Sequence, residues 1–339
     1  MKLKFFAALA AVAGISAVAN AQNYKVNVPM GDDADGAMAF LVNFDTGANV
    51  DSVMVSDGNA EFAGTVTDPA VVRLIVDGQR MAQFILEPGD IRVDLKNRAV
   101  TGGKYNDLNE KFGRDMAHYS QDARNATSRE QYDSIYNSYI SDLRKFMEAN
   151  IDNPLGYQCF LELAYDMNPS ELEAFVAAHP SLAKYQRVKK LIETNRNKQA
   201  TQPGAMFADF EIEYDGVKHR LSDVVGKGKY VLVDFWASWC GPCIRQTAVL
   251  KDIYNKYKDS GKLEVLGVAV WDKPEDTKKA IEQHELPWTA WLNGGNIPTD
   301  VYGISGIPCI ILFGPDGKIL SRDKQDDALR ADVDAALSE

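Results

Sequence analysis

The sequence predicts an α/β domain at the C-terminus, a mixed sheet flanked by helices, preceded by a small all-β domain and a helical linker region. Three observations carry that prediction. Short β-rich runs separated by turn signals fill residues 23 to about 100. Apolar residues at helical spacing occupy residues 104–198. From Tyr230 an apolar, β-branched run leads directly into Cys240-Gly-Pro-Cys243 and then into a helical period. The expected divisions are residues 1–21, 22–100, 104–198 and 203–339.

Residues 1–21 read as a cleavable signal peptide. Lys2 and Lys4 form a basic start, Phe5 to Val18 an apolar stretch too short for a span, and Ala19-Asn20-Ala21 a small-residue cleavage site. Cleavage after Ala21 implies export to the periplasm, and with no cysteine following, no lipid anchor is expected. No other stretch approaches a transmembrane length. Loss of the two lysines leaves 35 basic against 48 acidic residues, a net charge of −13. So acidic a chain is not expected to bind nucleic acid. Export implies an oxidising compartment, yet four cysteines in 339 residues are far from a disulfide scaffold.

In the β region the expected strands are Ala37–Asn43, Val50–Val55, Ala60–Val66, Val71–Val76, Met81–Leu86 and Ile91–Leu95. Asp57-Gly58, Asp77-Gly78 and Pro88-Gly89-Asp90 mark turns between them. Six strands so closely spaced predict a sandwich or barrel. Asp32-Asp33-Ala34-Asp35-Gly36 invites a calcium reading. A calcium-loop register anchored on Gly36 would put Gly31 and Val42 at ligand positions, so a solvated loop is expected.

Leu108, Phe112, Met116 and Tyr119 share one helical face. Thr127-Ser128-Arg129-Glu130 reads as a capping box ahead of Tyr132, Ile135, Tyr139, Leu143 and Phe146. Asn153-Pro154 and Asn168-Pro169 each place a cap before a first-turn proline. The tyrosines at 132, 136, 139, 157 and 165 are assigned to packing, Cys159 to a buried apolar role, and His118 and His179 to none. Polar Asn195 to Gly204 reads as a linker.

The chemistry concentrates at Cys240 and Cys243. A thiol at a helix N-terminus meets free N–H groups and the positive end of the helix dipole, which favour thiolate. Cys240 is the expected exposed nucleophile and Cys243, one turn on, the buried resolving thiol. A purely structural disulfide over so short a loop constrains little chain entropy. Zinc would need two further ligands, and neither a second Cys-x-x-Cys nor a His-x-x-x-His is present. Neither a metal nor a cofactor is expected. Strand 230–236, a helix over 241–258 and strand Leu263–Val270 form a right-handed βαβ unit. A helix over about 275–285, strands 309–313 and Lys318–Ser321 joined by a Gly-Pro-Asp-Gly turn, and a helix over about 325–337 complete the domain. Asp234 lies inside an apolar strand, where burial raises a carboxyl pKa and suits it to accept the proton of Cys243. Trp236 reads as core and Trp239 as an exposed contact beside the nucleophile.

Residues 230–243 resemble the active-site strand and helix of thioredoxin, with Asp234 six residues before the first cysteine. Gly306-Ile307-Pro308 followed by Ile310-Ile-Leu-Phe313 resembles its cis-proline loop and strand. The hairpin from Phe210 to Leu221 and the extra sequence over 271–300 are similar to periplasmic thioredoxins of the TlpA/ResA type. The resemblance covers about residues 203–339, and residues 22–100 look like the β-rich domain of unknown function that often precedes such domains. It implies a thioredoxin fold, a cis Pro308, and substrate contacts at Trp239, Gly241, Pro242, Ile307 and Pro308. It also implies exported, cysteine-containing proteins as substrates and a membrane thiol electron donor. Three departures stand out: Gln246 where the type carries Glu, Ala248 where it carries Pro, and Cys309 directly after the cis-proline. Cys309 is expected to be inert.

Protein-disulfide reduction by Cys240 and Cys243 is the leading expectation. A thioredoxin-fold peroxidase is the alternative, but Val233 and Ala237 occupy the Pro and Thr positions of its Pro-x-x-x-Thr-x-x-Cys pattern. A partner-binding envelope protein, with the N-terminal half in the main role, is the other alternative.

Overall fold

In a computed structural model of the protein, residues 22–338 are described, and the signal-peptide reading of residues 1–21 lies outside them. The chain parts into two compact units between Asp166 and Met167.

In the first unit the strands are β1 (Tyr24–Pro29), β2 (Met38–Asn43), β3 (Asn49–Met54), β4 (Asn59–Gly64), β5 (Ala70–Val76), β6 (Gln79–Leu86), β7 (Gly89–Asp94) and β8 (Ala99–Thr101). They form two four-stranded sheets, ordered β4-β1-β7-β8 and β3-β2-β5-β6. Val26, Val28, Leu41, Phe62, Leu74, Phe84 and Ile91 form a shared core, the inner layer of a sandwich. Two strands were not among those read from the sequence. β1 is central in its sheet, antiparallel to β4 and parallel to β7. Its burial alternates, Tyr24, Val26 and Val28 inward, so it contains no apolar run to notice. β8 is only three residues long. At both Asp-Gly turns the Asp and the Gly have positive φ, as a two-residue hairpin of matching twist requires. Asp32–Ala34 form one 3₁₀ turn, and the nearby Asp35 carboxylate accepts the Gly58 N–H at 2.8 Å, a structural use of this acidic loop.

Helices α1 (Lys104–Asn125), α2 (Arg129–Ala149) and α3 (Pro154–Leu163) complete this unit. Buried Glu87 accepts the Tyr105 and Asn106 N–H groups at 2.9 and 2.8 Å, placing a carboxylate on the positive end of α1. The cap of α2 is shifted by one residue from the capping box read at Thr127 and Glu130. Ser128 accepts the Gln131 N–H, while the Gln131 side chain accepts from the Thr127 N–H. Phe112 and Phe146 stack at 3.8 Å, joining the two apolar faces. The packing role assigned to the tyrosines holds for Tyr157, which is fully buried, but Tyr132, Tyr136 and Tyr165 are exposed. Helical spacing fixes a common face, not whether a neighbour covers it. Cys159 is half-buried rather than buried, and burial pushes its thiol up to about 12.

The second unit begins with α4 (Pro169–Ala178) and α5 (Gln186–Ala200). Asn168 and Glu171 form a reciprocal capping box at the start of α4. Asn195 to Gly204 is not a loose connector, since α5 runs to Ala200 and Thr201 is buried. The Arg322 guanidinium, itself buried, donates to the Thr201 carbonyl at 3.0 Å and the Tyr302 carbonyl at 2.7 Å. At Gly303, φ is +59° and any Cβ would lie 2.2 Å from the Thr194 carbonyl, so glycine alone permits this approach.

The rest is β9 (Glu211–Tyr214), β10 (Val217–Arg220), β11 (Tyr230–Trp236), α6 (Gly241–Tyr257), β12 (Leu263–Ala269), α7 (Pro274–Gln283), β13 (Thr289–Trp291), α8 (Ile297–Val301), β14 (Cys309–Phe313), β15 (Ile319–Arg322) and α9 (Asp326–Ser338). β9 and β10 form the hairpin. The main sheet runs β13-β12-β11-β14-β15, with β11, β12 and β13 parallel and β14 and β15 antiparallel to their neighbours. This mixed sheet with helices on it is a thioredoxin fold. β11 is central and buried on both faces, which is why it reads as a continuous apolar run. Leu232 and Trp236 pack toward α6 and α9, and Val233 and Phe235 toward the hairpin and Tyr302. Each such side chain contributes about 1.5–3 kcal/mol on burial. Among the described residues no helix is long and apolar enough to cross a membrane.

Candidate active site

β11 ends at Trp236 and α6 begins at Gly241, so the four residues between them set where the first sulfur sits. Cys240 is the N-cap of α6, and its Sγ accepts the Cys243 N–H at 3.1 Å. Pro242 lies in the first turn, where its missing N–H costs no helical bond. The two cysteines are joined as a disulfide with Cα atoms 5.2 Å apart. Cys243 is wholly buried, as expected. Cys240 is not exposed in this oxidised form, with 4 % of its surface accessible. Its sulfur is turned toward Cys243 and lies 3.8 Å from the Ile307 carbonyl oxygen. The Ile307–Pro308 bond is cis. Gly241, Pro242 and Trp239 surround the sulfur's end of the helix and are exposed, Trp239 by 61 %.

Asp234 shares the β11 face of Leu232 and Trp236, the face that α6 and Cys243 cover. It is buried, and its Oδ1 has no hydrogen-bond partner among the described residues. Burial pushes its carboxyl from the ordinary 3.8 up to about 7. Directly across on β12 stands Gly267, where a Cβ would come within 3.1 Å of the Trp236 indole nitrogen.

Cys309 pairs in register with Phe235 and packs in the core on the other face of the sheet from Cys243. Burial, and then the Asp323 carboxylate, hold its thiol well above its ordinary range. Gln246 is buried, donates to the Asp326 carboxylate at 2.7 Å and accepts the Asp326 N–H at 3.1 Å, tying α6 to the start of α9. Trp271 and Asp272, to which the sequence reading gave no role, contact the Ser238–Trp239 loop. The available signal was their place just after an apolar parallel strand, at the sheet end where α/β sites gather. Among the described residues no group of three or more His, Cys, Asp or Glu side chains is arranged to hold a metal ion.

Residues 203–322 match the AhpC/TSA family, and residues 24–109 match a domain of unknown function, DUF4369. Over 123 residues the chain is 30% identical to the thiol-disulfide oxidoreductase ResA of Geobacillus thermodenitrificans, a match spanning 36% of this chain and 69% of that protein. The chain belongs to the ResA-like thiol-disulfide oxidoreductase family. It is also 28% identical over 127 residues to ResA of Bacillus thuringiensis, covering 37% of this chain and 72% of that one. A solved thioredoxin domain of a thiol-disulfide oxidoreductase from Bacteroides vulgatus is 35% identical, covers 39% of this chain and 96% of its own, and has a TM-score of 0.34. The relationship to ResA makes the protein an oxidoreductase of thiols and disulfides, with a thioredoxin-like domain that follows a β-rich one in the sequence.

Proposed function

We propose that the protein is an exported reductase of protein disulfides. The carrying observation is Cys240 at the N-cap of α6, its sulfur accepting the Cys243 N–H at 3.1 Å. In the reduced protein the same N–H and the helix dipole stabilise a thiolate there. That thiolate attacks one sulfur of a substrate disulfide, forming a mixed disulfide and releasing the other sulfur as thiolate. Cys243 gives its proton to Asp234, whose raised pKa matches an acceptor working near neutral pH, and attacks Cys240. The products are the Cys240–Cys243 disulfide and a reduced substrate, with two electrons moved. Ile307, beside the cis-proline, offers backbone groups to an extended polypeptide, and Trp239, Gly241, Pro242 and Pro308 line the same approach.

Export follows from the signal-peptide reading of residues 1–21, and outside the cytoplasm the disulfide must be re-reduced by a membrane thiol donor. The regions read as 22–100 and 104–198 would select partners, and 203–339 would carry the chemistry. A peroxidase is less well supported, because buried Ala237 offers no hydroxyl three residues before Cys240.

The test is a trap. Cys243→Ser should accumulate mixed disulfides with cysteine-bearing envelope proteins, and Cys240→Ser should accumulate none. A Cys243→Ser protein that traps nothing during growth under oxidising conditions would rule the reading out.

A further inference from the structure

The loop joining β11 to α6 carries backbone groups that neither element satisfies, and it must hold Cys240 in place while another protein is bonded to it. One carboxylate meets that need. Asp272 Oδ2 accepts the Ser238 N–H at 2.7 Å, and its Oδ1 accepts the Ser238 hydroxyl at 3.0 Å. The same group accepts the Lys273 N–H at 2.9 Å and the Thr277 hydroxyl at 2.8 Å. Thr277 is wholly buried in α7, so the carboxylate is braced from the protein interior. With four donors around two oxygens, the group has little freedom to rotate.

The residue before it makes a second attachment. Trp271 has φ +55°, a left-handed conformation that a bulky residue adopts only under constraint. Its N–H donates to the Gly295 carbonyl at 3.3 Å, and its own carbonyl accepts the Trp239 indole N–H at 3.0 Å. Trp239 is thus exposed over most of its ring yet fixed at its polar edge. A ring held this way meets a partner without first losing rotamer freedom.

We propose that the Trp271–Asp272 turn is a two-point clamp on the redox loop, in which Asp272 is a positioning residue for disulfide exchange at Cys240 and the Trp271 carbonyl presents the Trp239 ring to an incoming polypeptide. This rests on the thiol–disulfide reading of the Cys240–Cys243 pair. The clamp acts through Ser238 and Trp239 and touches no reacting atom.

Full-length Asp272→Ala, Asp272→Asn and Ser238→Ala proteins test it, with three readouts: the rate constant for reducing insulin disulfides, alkylation of Cys240 by iodoacetamide, and acrylamide quenching of tryptophan fluorescence. Asp272→Ala should slow insulin reduction about tenfold and increase quenching, as the loop and the Trp239 ring come free. Asp272→Asn, which keeps one oxygen for the Ser238 N–H, should restore the rate to within about threefold of wild type. Ser238→Ala, losing one hydroxyl bond, should slow it about two- to threefold, and decides the matter if Asp272→Ala does not fold. Folded Asp272→Ala and Ser238→Ala proteins with wild-type reduction, alkylation and quenching would overturn the clamp. A wild-type protein that cannot reduce insulin would instead count against the reductase reading, with alkylation and quenching in the same variants still judging the clamp.

Discussion

Asp234→Asn separates two consequences of one buried carboxyl. The side chain is 2 % exposed in a strand otherwise apolar, and burial alone pushes it from 3.8 to about 7. At 1.36 kcal/mol per pH unit, holding it ionised in the folded state costs about 4 kcal/mol. The unfolded chain releases this proton near pH 4 and the folded chain near 7, so between those values the folded state binds the extra proton. Stability is therefore full below the unfolded value and falls as pH rises toward 7. Asn cannot ionise, so the variant should lack this loss. Between pH 4 and pH 8 its stability relative to wild type should improve by about 4 kcal/mol. Urea unfolding of the oxidised proteins, followed by tryptophan fluorescence, reports on the right unit because all five tryptophans lie between residues 236 and 291. In the reduced protein the same substitution should slow breakdown of the mixed disulfide while leaving the first attack by Cys240 nearly unchanged. Parallel pH–stability curves would refute the burial argument, and wild-type resolution kinetics would make the carboxyl structural.

Three further outcomes are expected. Iodoacetamide at mildly acidic pH should label reduced Cys240 well before Cys159, whose thiol is pushed up to about 12, or buried Cys309; mass mapping of the labelled peptides checks the order. The Cys240–Cys243 potential should fall nearer the thioredoxin value of about −270 mV than the DsbA value of about −120 mV, as measured by glutathione equilibration. Arg322→Ala should destabilise the second unit by about 2–4 kcal/mol in urea, because it leaves the Thr201 carbonyl without its guanidinium donor in the interior and the Tyr302 carbonyl with only the Thr201 hydroxyl at 3.2 Å.

What could be read from the chain alone was local. β11, the Cys-Gly-Pro-Cys turn and α6 follow one another within 28 residues, and each is encoded by its own run, cap or period. The proline caps at Asn153 and Asn168 were legible for the same reason: a helix start is a matter of four or five neighbouring residues. Ile307 and Pro308 were located by resemblance, and only the folded chain brings the Ile307 carbonyl to Cys240 across 67 positions of sequence.

Other features belonged wholly to tertiary structure. β1 is central because β4 and β7 close on both its edges, while its own composition is half polar. The tyrosines at 132, 136 and 157 all lie on helices, yet packing buries the last and leaves the first two exposed. Asp272 looks like any acid ahead of a helix until β12 lies parallel to β11, which carries the ends of both strands to one side of the sheet and sets its carboxylate against Ser238. Local sequence sets φ, ψ and the period of burial. Which polar group finds which partner depends on strand order and register, and those are fixed only when the core closes.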